Sequence, residues 1–180
     1  KFKNLMEEHL EEIAILVTQE HGKTLAEGRG DVRRGIDNLD VAMGIPSLMQ
    51  GEALEDVGRG IDCVSVRRPL GVFAAITPFN FPAMVPLWMY PMAIVCGNCF
   101  ILKPSERDPS STLYIASLLK EAGLPDGVMN VVNGDKESVD AILDNEVVQA
   151  IGFVGSTPIA EYIYGRGCSN GKRVQCFGGA

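Results

Sequence analysis

Apolar residues recur with helical spacing over the first part of the chain. Intervals of four and three residues, with glutamates between them, predict an amphipathic helix that ends near Gly22. The apolar positions of this helix are Met6, Leu10, Ile13 and Val17.

A second helix is predicted from about Thr24 to Gly44. Its apolar face is expected to carry Val32, Ile36, Leu39 and Met43. Residues 51–60 are predicted to form a loop, and residues 63–66 a short strand.

From Pro69 onward, short apolar runs alternate with helical segments. The runs are continuous and bounded by glycine or proline, as strands buried in a parallel sheet are. The predicted strands cover residues 72–76, 99–102, 128–132, 150–154 and 173–177. The predicted helices between them cover residues 85–95, 111–121, 137–143 and 159–164. This order predicts an α/β fold in which an open parallel sheet has helices on both faces and is preceded by two helices.

Composition and charge narrow the possible classes of function. Of the 180 residues, 46% are hydrophobic and 22% are charged, which is a globular composition and excludes intrinsic disorder. The net charge of −7, with no basic stretch to offset it, argues against a nucleic-acid partner. No apolar run has the roughly 18 residues of a membrane helix, and no signal peptide opens the chain, so we expect no membrane association. The five cysteines, an odd number, are expected to be free thiols in a reducing compartment.

The loop after the first strand of the predicted sheet carries a candidate catalytic amide. Ligands bind such sheets at the carboxyl ends of the strands. The segment after the first strand is Thr77-Pro78-Phe79-Asn80-Phe81-Pro82. It lacks the glycine-rich turn of a standard dinucleotide site. Two prolines stiffen the loop, so Asn80 is a rigidly held donor that could stabilise an oxyanion. The alternative is that Asn80 forms an Asx turn that caps the following helix.

Two further strand ends carry candidate cofactor-binding residues. Lys103 and Glu106 follow the second strand, where a cation and a carboxylate suit a ribose diol and favour NAD over NADP. The alternative is a solvated surface ion pair. Gly155-Ser156-Thr157-Pro158 follows the fourth strand; Ser156 or Thr157 is expected to cap the next helix, whose N-terminus suits a pyrophosphate.

The cysteines and histidines give no convincing nucleophile or metal site. Cys96 and Cys99 have the spacing of a redox pair or half a zinc site, but they follow a helix end and no second pair completes the site. We therefore expect two buried thiols beside a turn. Cys176 lies in an apolar strand with no base near it in sequence, and His9 and His21 are expected to be surface or capping residues.

The three strand-end motifs together resemble the aldehyde dehydrogenase superfamily. They are Thr77–Pro82, Lys103–Glu106 and Phe153–Ser156, in the order and places that the family has them, and the resemblance covers essentially all 180 residues. Within the superfamily, the chain is most similar to the CoA-acylating methylmalonate-semialdehyde dehydrogenase branch. The finer match rests on residues 79–89, 103–107 and 171–175.

The resemblance implies roles for individual residues. Asn80 would donate to the oxyanion, and Arg34 would meet the carboxylate of the substrate, the alternative for Arg34 being a surface helix arginine. The residues expected to bind NAD are Thr77 and Phe79 on the nicotinamide side, Lys103 and Glu106 at the adenosine ribose, Arg107 beside the cofactor, Gly155 and Ser156 at the pyrophosphate, and Gly178.

The last strand suggests how an acyl enzyme would be released. Hydrolytic members of the superfamily have a glutamate there that activates water, whereas Phe177 stands in its place here and residues 174–180 contain no carboxylate. Without that base, a thioacyl enzyme persists until a thiol such as CoA attacks it. The resemblance therefore implies NAD-dependent oxidation of malonate or methylmalonate semialdehyde, with CoA as co-substrate and loss of carbon dioxide, to acetyl-CoA or propionyl-CoA. The alternatives are a hydrolytic enzyme, for example for succinate semialdehyde, and a non-catalytic nucleotide-binding fragment.

The resemblance also suggests that the chain is part of a longer protein. The catalytic cysteine of the superfamily lies beyond the position of Ala180, and the chain begins at Lys1 within a predicted helix. We expect residues 1–68 to form N-terminal helices and part of an oligomerisation strand, and residues 69–180 to form the NAD-binding domain, inactive without its catalytic domain. The intact protein is expected to be a homo-oligomer, dimer or tetramer, in a bacterial cytoplasm or a mitochondrial matrix.

Overall fold

Helices form the first quarter of the molecule in a computed structural model that describes residues 1–180. The predicted first helix is divided at His9 into α1 (Phe2–Glu8) and α2 (Leu10–His21). The next helix, α3 (Leu25–Leu48), begins with a capping box in which the Thr24 hydroxyl accepts from the Glu27 amide and the Glu27 carboxylate accepts from the Thr24 amide. It continues four residues beyond the predicted end.

The apolar face predicted for α3 is correct in three of its four positions. Val32, Ile36 and Leu39 are buried, whereas Met43 is 61% exposed and Ala42 is buried instead. Helical geometry explains the difference, because the buried face of a straight helix drifts when the apolar spacing is followed for several turns.

Residues 53–64 form an exposed hairpin, so the prediction of a loop over residues 51–60 was wrong. Strand β1 (Ala53–Gly58) pairs antiparallel with β2 (Ile61–Val64), which begins and ends two residues before the predicted strand. Almost every residue of the hairpin is exposed, and the register shifts between Leu54 and Gly58. A strand with no buried face lacks the apolar alternation by which strands are recognised.

The rest of the chain forms the predicted parallel sheet. Its strands are β3 (Val72–Ile76), β4 (Cys99–Lys103), β5 (Met129–Val131), β6 (Val148–Val154) and β7 (Arg173–Phe177), in the order β5-β4-β3-β6-β7. The connecting helices are α4 (Met84–Val95), α5 (Ser110–Glu121), α6 (Lys136–Asp144) and α7 (Thr157–Ser169). The strand order reverses between β3 and β6, which is where sheets of this kind bind ligands.

Two hydrophobic cores lie on opposite faces of the sheet, as predicted. On one face Ala75, Phe100 and Leu102 pack with residues of α1 to α5. On the other face Ile151 and Phe153 pack with residues of α6 and α7. The three N-terminal helices thus share a core with α4, which brings α3 close to the loop before α4. No helix is long and apolar enough to cross a membrane.

Candidate functional site

The ends of β3 and β4 lie side by side and bring two predicted cofactor segments together. Ile76 pairs with Lys103 in the parallel register, and the Thr77 amide donates to the Lys103 carbonyl at 3.1 Å. Thr77 is buried at this junction, while Phe79 is 45% exposed. The loops that follow the two strands therefore lie side by side at the carboxyl end of the sheet.

Lys103 and Glu106 form an ion pair that is buried on one side only. The Lys103 ammonium is 3.2 Å from a Glu106 carboxylate oxygen, and the two side chains are 4% and 51% exposed. Backbone hydrogen bonding within Glu106, together with Lys103, lowers the pKa of the Glu106 carboxyl and keeps it ionised. Since the lysine is buried, the alternative of a solvated surface pair does not apply. An ionised acceptor is left at the end of a strand, partly open to solvent.

An exposed aromatic ring lies beside this pair. The Arg107 guanidinium carbon is 4.9 Å from the centre of the Phe79 ring, and the His21 ring is 6.1 Å away at an interplanar angle of 28°. His21 is thus not a free surface residue, and its buried Nδ1 has no hydrogen-bond partner. Arg107 and His21 therefore both pack against the Phe79 ring and hold it in place beside the ion pair.

The start of α7 is open to an anion, although Gly155 differs from its expected role. Ser156 occupies the N-cap position but its side chain caps nothing, and Pro158 lies in the first turn as predicted. The Gly155 amide donates to the Phe177 carbonyl at 3.0 Å, so it extends the sheet instead of facing a ligand. A Cβ at Gly155 would lie 2.4 Å from the Phe153 ring, which is why glycine is needed there.

Gly178 lies against the first turn of α7. A Cβ on Gly178 would be 3.3 Å from the Cα of Thr157, so this glycine allows the end of β7 to approach the helix. The structure therefore brings Ser156 and Gly178 to one place. The free amides of this turn, rather than the Gly155 amide, are available for an anion.

Asn80 does not cap the helix that follows it. Its buried Oδ1 has no hydrogen-bond partner, so the Asx-turn alternative is wrong. The first amide of α4, that of Met84, donates instead to Oδ1 of Asp31 at 2.8 Å. The Asn80 carbonyl accepts from the Lys23 ammonium at 2.7 Å. The side-chain amide of Asn80 is therefore not used by local structure.

A polar cavity joins two residues that were predicted independently. Its volume is about 430 Å³, and it is lined by His21, Lys23, Glu27, Gly30, Asp31, Arg34, Asn80 and Phe81. Arg34, predicted to meet a carboxylate, and Asn80, predicted to meet an oxyanion, thus open to the same space. A guanidinium and an amide in one cavity can hold a small molecule that has a carboxylate and a carbonyl oxygen.

Sequence reasoning missed Lys23 and Asp31, which link this cavity to the loop before α4. Asp31 is 1% exposed and Lys23 contacts it at 3.5 Å. A signal for Asp31 was present, because it lies at helical spacing from Gly28 and Gly35 on the buried face of α3. Lys23 follows the end of α2, and no pattern marked its distant partner Asn80.

A second cavity of about 590 Å³ lies between α4 and strands β6 and β7. It is mainly apolar, and its lining includes Trp88, Met89, Met92, Val174 and Phe177. Phe177 alone among these was given a role from the sequence, while Trp88, Met89 and Val174 lie in the segments that carry the finer family match. Cys99 differs from expectation, because it is exposed at the start of β4 and not a buried thiol.

Comparison with known proteins identifies the family. The sequence profile of the aldehyde dehydrogenase family matches residues 1–180. The chain belongs to this family. It is 61% identical to malonate-semialdehyde dehydrogenase of Pseudomonas aeruginosa, over 100% of this chain and 36% of that protein. The fold and family expected from the sequence are therefore confirmed.

Two further relatives come from different sources. A mitochondrial, acylating methylmalonate-semialdehyde/malonate-semialdehyde dehydrogenase of Rattus norvegicus is 51% identical over 100% of this chain and 34% of that protein. A Sinorhizobium meliloti protein described as a methylmalonate-semialdehyde dehydrogenase, solved in complex with NAD, superposes with a TM-score of 0.98. It is 54% identical, over 99% of this chain and 36% of that one. The chain thus spans about a third of the length of these members of the family.

Proposed function

We propose that this chain is the NAD-binding part of a CoA-acylating dehydrogenase for malonate or methylmalonate semialdehyde. The observation that carries the proposal is the polar cavity shared by Arg34 and Asn80. A semialdehyde of this class has a carboxylate two bonds from its aldehyde carbon, so one small cavity must bind both groups. Arg34 holds the carboxylate, and Asn80 donates to the aldehyde oxygen as it becomes an oxyanion.

The cofactor residues fit NAD by their chemistry. Glu106 is an ionised acceptor for the ribose hydroxyls and repels a 2′-phosphate, while buried Lys103 orients it. Ser156, with Gly178 beside it, leaves the first turn of α7 open for the pyrophosphate. Thr77 and Phe79, with Arg107 against the Phe79 ring, form the wall on the nicotinamide side. When bound, NAD supplies the hydride acceptor for oxidation of the aldehyde.

The release of the acyl group is assigned to CoA on the basis of Phe177. The side chain is 50% exposed at the end of β7, and residues 174–180 offer no carboxylate to activate water. The nucleophilic cysteine lies in the part of the longer protein beyond Ala180. The acylating name of the rat relative supports the same assignment.

The hairpin of β1 and β2 suits contact with a second copy of the protein. Four of its apolar side chains, Leu54, Val57, Ile61 and Val64, are each more than half exposed. We propose a homo-oligomer, dimer or tetramer, in which this hairpin is buried. The bacterial and mitochondrial relatives support location in the cytoplasm or the mitochondrial matrix.

The role of Arg34 can be tested in the full-length protein that contains this chain. Arg34→Met should lower kcat/KM for malonate semialdehyde about 100-fold, since a charge-assisted pair contributes about 1.5–3 kcal/mol. It should leave kcat/KM for propanal, which has no carboxylate, nearly unchanged. Steady-state NADH formation with both aldehydes measures this difference.

Arg33→Met is the matched control for this experiment. Arg33 is the neighbour of Arg34 on α3, but it pairs with Glu7 at 2.5 Å and does not line the cavity. The control should not change the preference between the two aldehydes. Equal losses for both aldehydes in Arg34→Met would show that Arg34 does not bind the carboxylate.

A further inference from the structure

We propose that Lys23 is a positioning residue for Asn80: its ammonium holds the Asn80 carbonyl so that the Asn80 side-chain amide stays directed at the polar cavity. The proposal rests on the oxyanion role proposed for Asn80. Lys23 also lines the cavity, but in this role it acts through the backbone of the loop and needs no contact with the aldehyde.

The contact between Lys23 and Asn80 is short and nearly closed to water. The Lys23 Nζ donates to the Asn80 carbonyl at 2.7 Å, across 57 residues of sequence, and the lysine side chain is 8% exposed. The same ammonium lies 4.6 Å from the centre of the Phe81 ring. It therefore contacts two consecutive residues of the loop. A charge-assisted bond of this kind is stronger than a neutral one.

Asp31 completes the attachment from the opposite side. Its Oδ2 is 3.5 Å from the Lys23 ammonium, and its Oδ1 accepts from the Met84 amide at 2.8 Å. One carboxylate thus joins the lysine to the first turn of α4, which has no cap from its own side chains. The segment from Asn80 to Met84 is held at both ends by residues outside it.

The Asn80 side chain depends on this attachment because nothing else in the chain binds its oxygen. The Oδ1 atom is buried and has no hydrogen-bond partner. The direction of the amide is therefore set by the backbone at Asn80, and the backbone carbonyl there is bonded to Lys23. A donor to a developing oxyanion is effective only within a narrow range of distances, so a small shift of this loop affects the reaction.

The alternative role for Lys23 is neutralisation of buried Asp31, with no specific effect on Asn80. In that case loss of the lysine destabilises the protein, and the effects of changes at Lys23 and Asn80 on the rate are independent. If the lysine acts through Asn80, the two effects overlap. A double-mutant cycle separates these outcomes.

The cycle uses wild type, Lys23→Met, Asn80→Ala and the double variant of the full-length protein. Lys23→Met should lower kcat for NADH formation about 10-fold or more, with KM changed much less. Asn80→Ala should lower kcat about 100-fold. In the Asn80→Ala background, Lys23→Met should cost less than about 2-fold if Lys23 acts through Asn80. If the kcat losses of Lys23→Met and Asn80→Ala multiply in the double variant, the proposal is wrong.

Two further variants control for the loss of any lysine and for failure of Lys23→Met to fold. Lys3→Met is the control, because Lys3 makes an exposed ion pair with Asp40 at 2.6 Å on the surface of the same helical layer, and its kcat should equal that of wild type. If Lys23→Met does not fold, Lys23→Gln keeps a hydrogen-bond donor without the charge. It should retain part of the kcat and show the same overlap with Asn80→Ala.

Failure of the proposed function is distinguishable from failure of this inference. If wild type oxidises no semialdehyde, the proposed function is wrong, and the inference is then decided by crystal structures of wild type and Lys23→Met, or of Lys23→Gln if Lys23→Met does not fold. Residues 79–81 displaced, with the Asn80 amide turned from the cavity, would support the positioning role. An unchanged loop would overturn it.

Discussion

Asp108 is the residue near the site whose ionisation the fold disturbs most clearly. It is 1% exposed, and neither carboxyl oxygen has a hydrogen-bond partner. Burial raises the pKa of its carboxyl from 3.8 to about 7, the Ser105 side chain and Lys23 oppose this shift, and the negative charges of Glu20 and Asp31 add to it. Asp108 lies in the loop after β4, two residues after Glu106 of the predicted ribose-binding pair.

This raised pKa predicts how stability depends on pH. The folded protein binds the Asp108 proton more tightly than the unfolded chain does. The contribution of this proton to the free energy of unfolding is therefore fully present below about pH 4 and is lost as pH rises through about 7. Asp108→Asn should remove up to about 4 kcal/mol of this pH-dependent loss. Its melting temperature should exceed that of wild type by up to about 10 °C at pH 8, and the gain should vanish near pH 4.

Thermal unfolding of both proteins between pH 4 and pH 8 measures the difference. Asp37→Asn, an exposed position on α3, is the control and should follow wild type throughout. If the melting temperatures of wild type and Asp108→Asn change with pH in the same way, the raised pKa of Asp108 is contradicted.

The residues predicted from the sequence are those that a single strand end can locate. Lys103 ends β4 and Asn80 follows β3, and apolar runs are visible without tertiary information. Lys23 and Asp31 were missed because their role lies in contacts that cross 57 and 53 residues of sequence. Gly155 was only partly understood, since its amide pairs with β7, a contact that depends on the order of the strands.

Helix α3 determines where the polar cavity lies, and its position depends on a close approach to α2. A Cβ at Gly28 would lie 2.8 Å from the Ala14 carbonyl oxygen, which belongs to the backbone of α2. The two helices therefore cross with no room for a side chain at that point. Asp31 and Arg34 follow within two turns of α3, so the crossing sets their positions.

Glycine substitutions in α3 test this packing. Gly28→Ala should lower the free energy of unfolding by about 1–3 kcal/mol, because the backbone of α2 must move. Gly44→Ala, in the same helix with nothing within 4 Å of the added Cβ, should raise it by up to about 1 kcal/mol through helix propensity alone. Urea unfolding of the two variants measures these changes. Equal effects would show that the crossing is looser than the structure has it.

At the scale of elements, burial decided what could be predicted. The strands of the main sheet are apolar and bounded by turn residues, so all five were located to within two residues. Strand β1 was missed, and β2 was predicted two residues too late, because their side chains face solvent in this chain. A surface covered by another copy of the protein would give this exposure.

Across the whole molecule, strand order gathers the site from distant parts of the sequence. The order β5-β4-β3-β6-β7 places the ends of β3 and β6 next to each other, with Asn80 after one and Ser156 after the other. The N-terminal helices add Arg34 and Lys23 from the opposite end of the chain. The separate predictions from sequence meet because of this topology.

The proposed requirement for CoA rests on the same arrangement. The end of β7 lies beside the start of α7, and the proposal places Phe177 where hydrolytic members of the family have a base for water. An acyl enzyme formed at this site has no nearby carboxylate from residues 174–180 to activate water. Under the proposed function, a thiol such as CoA then releases the acyl group.

The most direct test is NADH formation by the full-length protein with malonate or methylmalonate semialdehyde, with and without CoA. Without CoA we expect a burst of about one NADH per active site and then almost no turnover. Adding CoA should restore steady turnover. Steady NADH formation at the same rate without CoA would contradict the account and show that water has a base at this site.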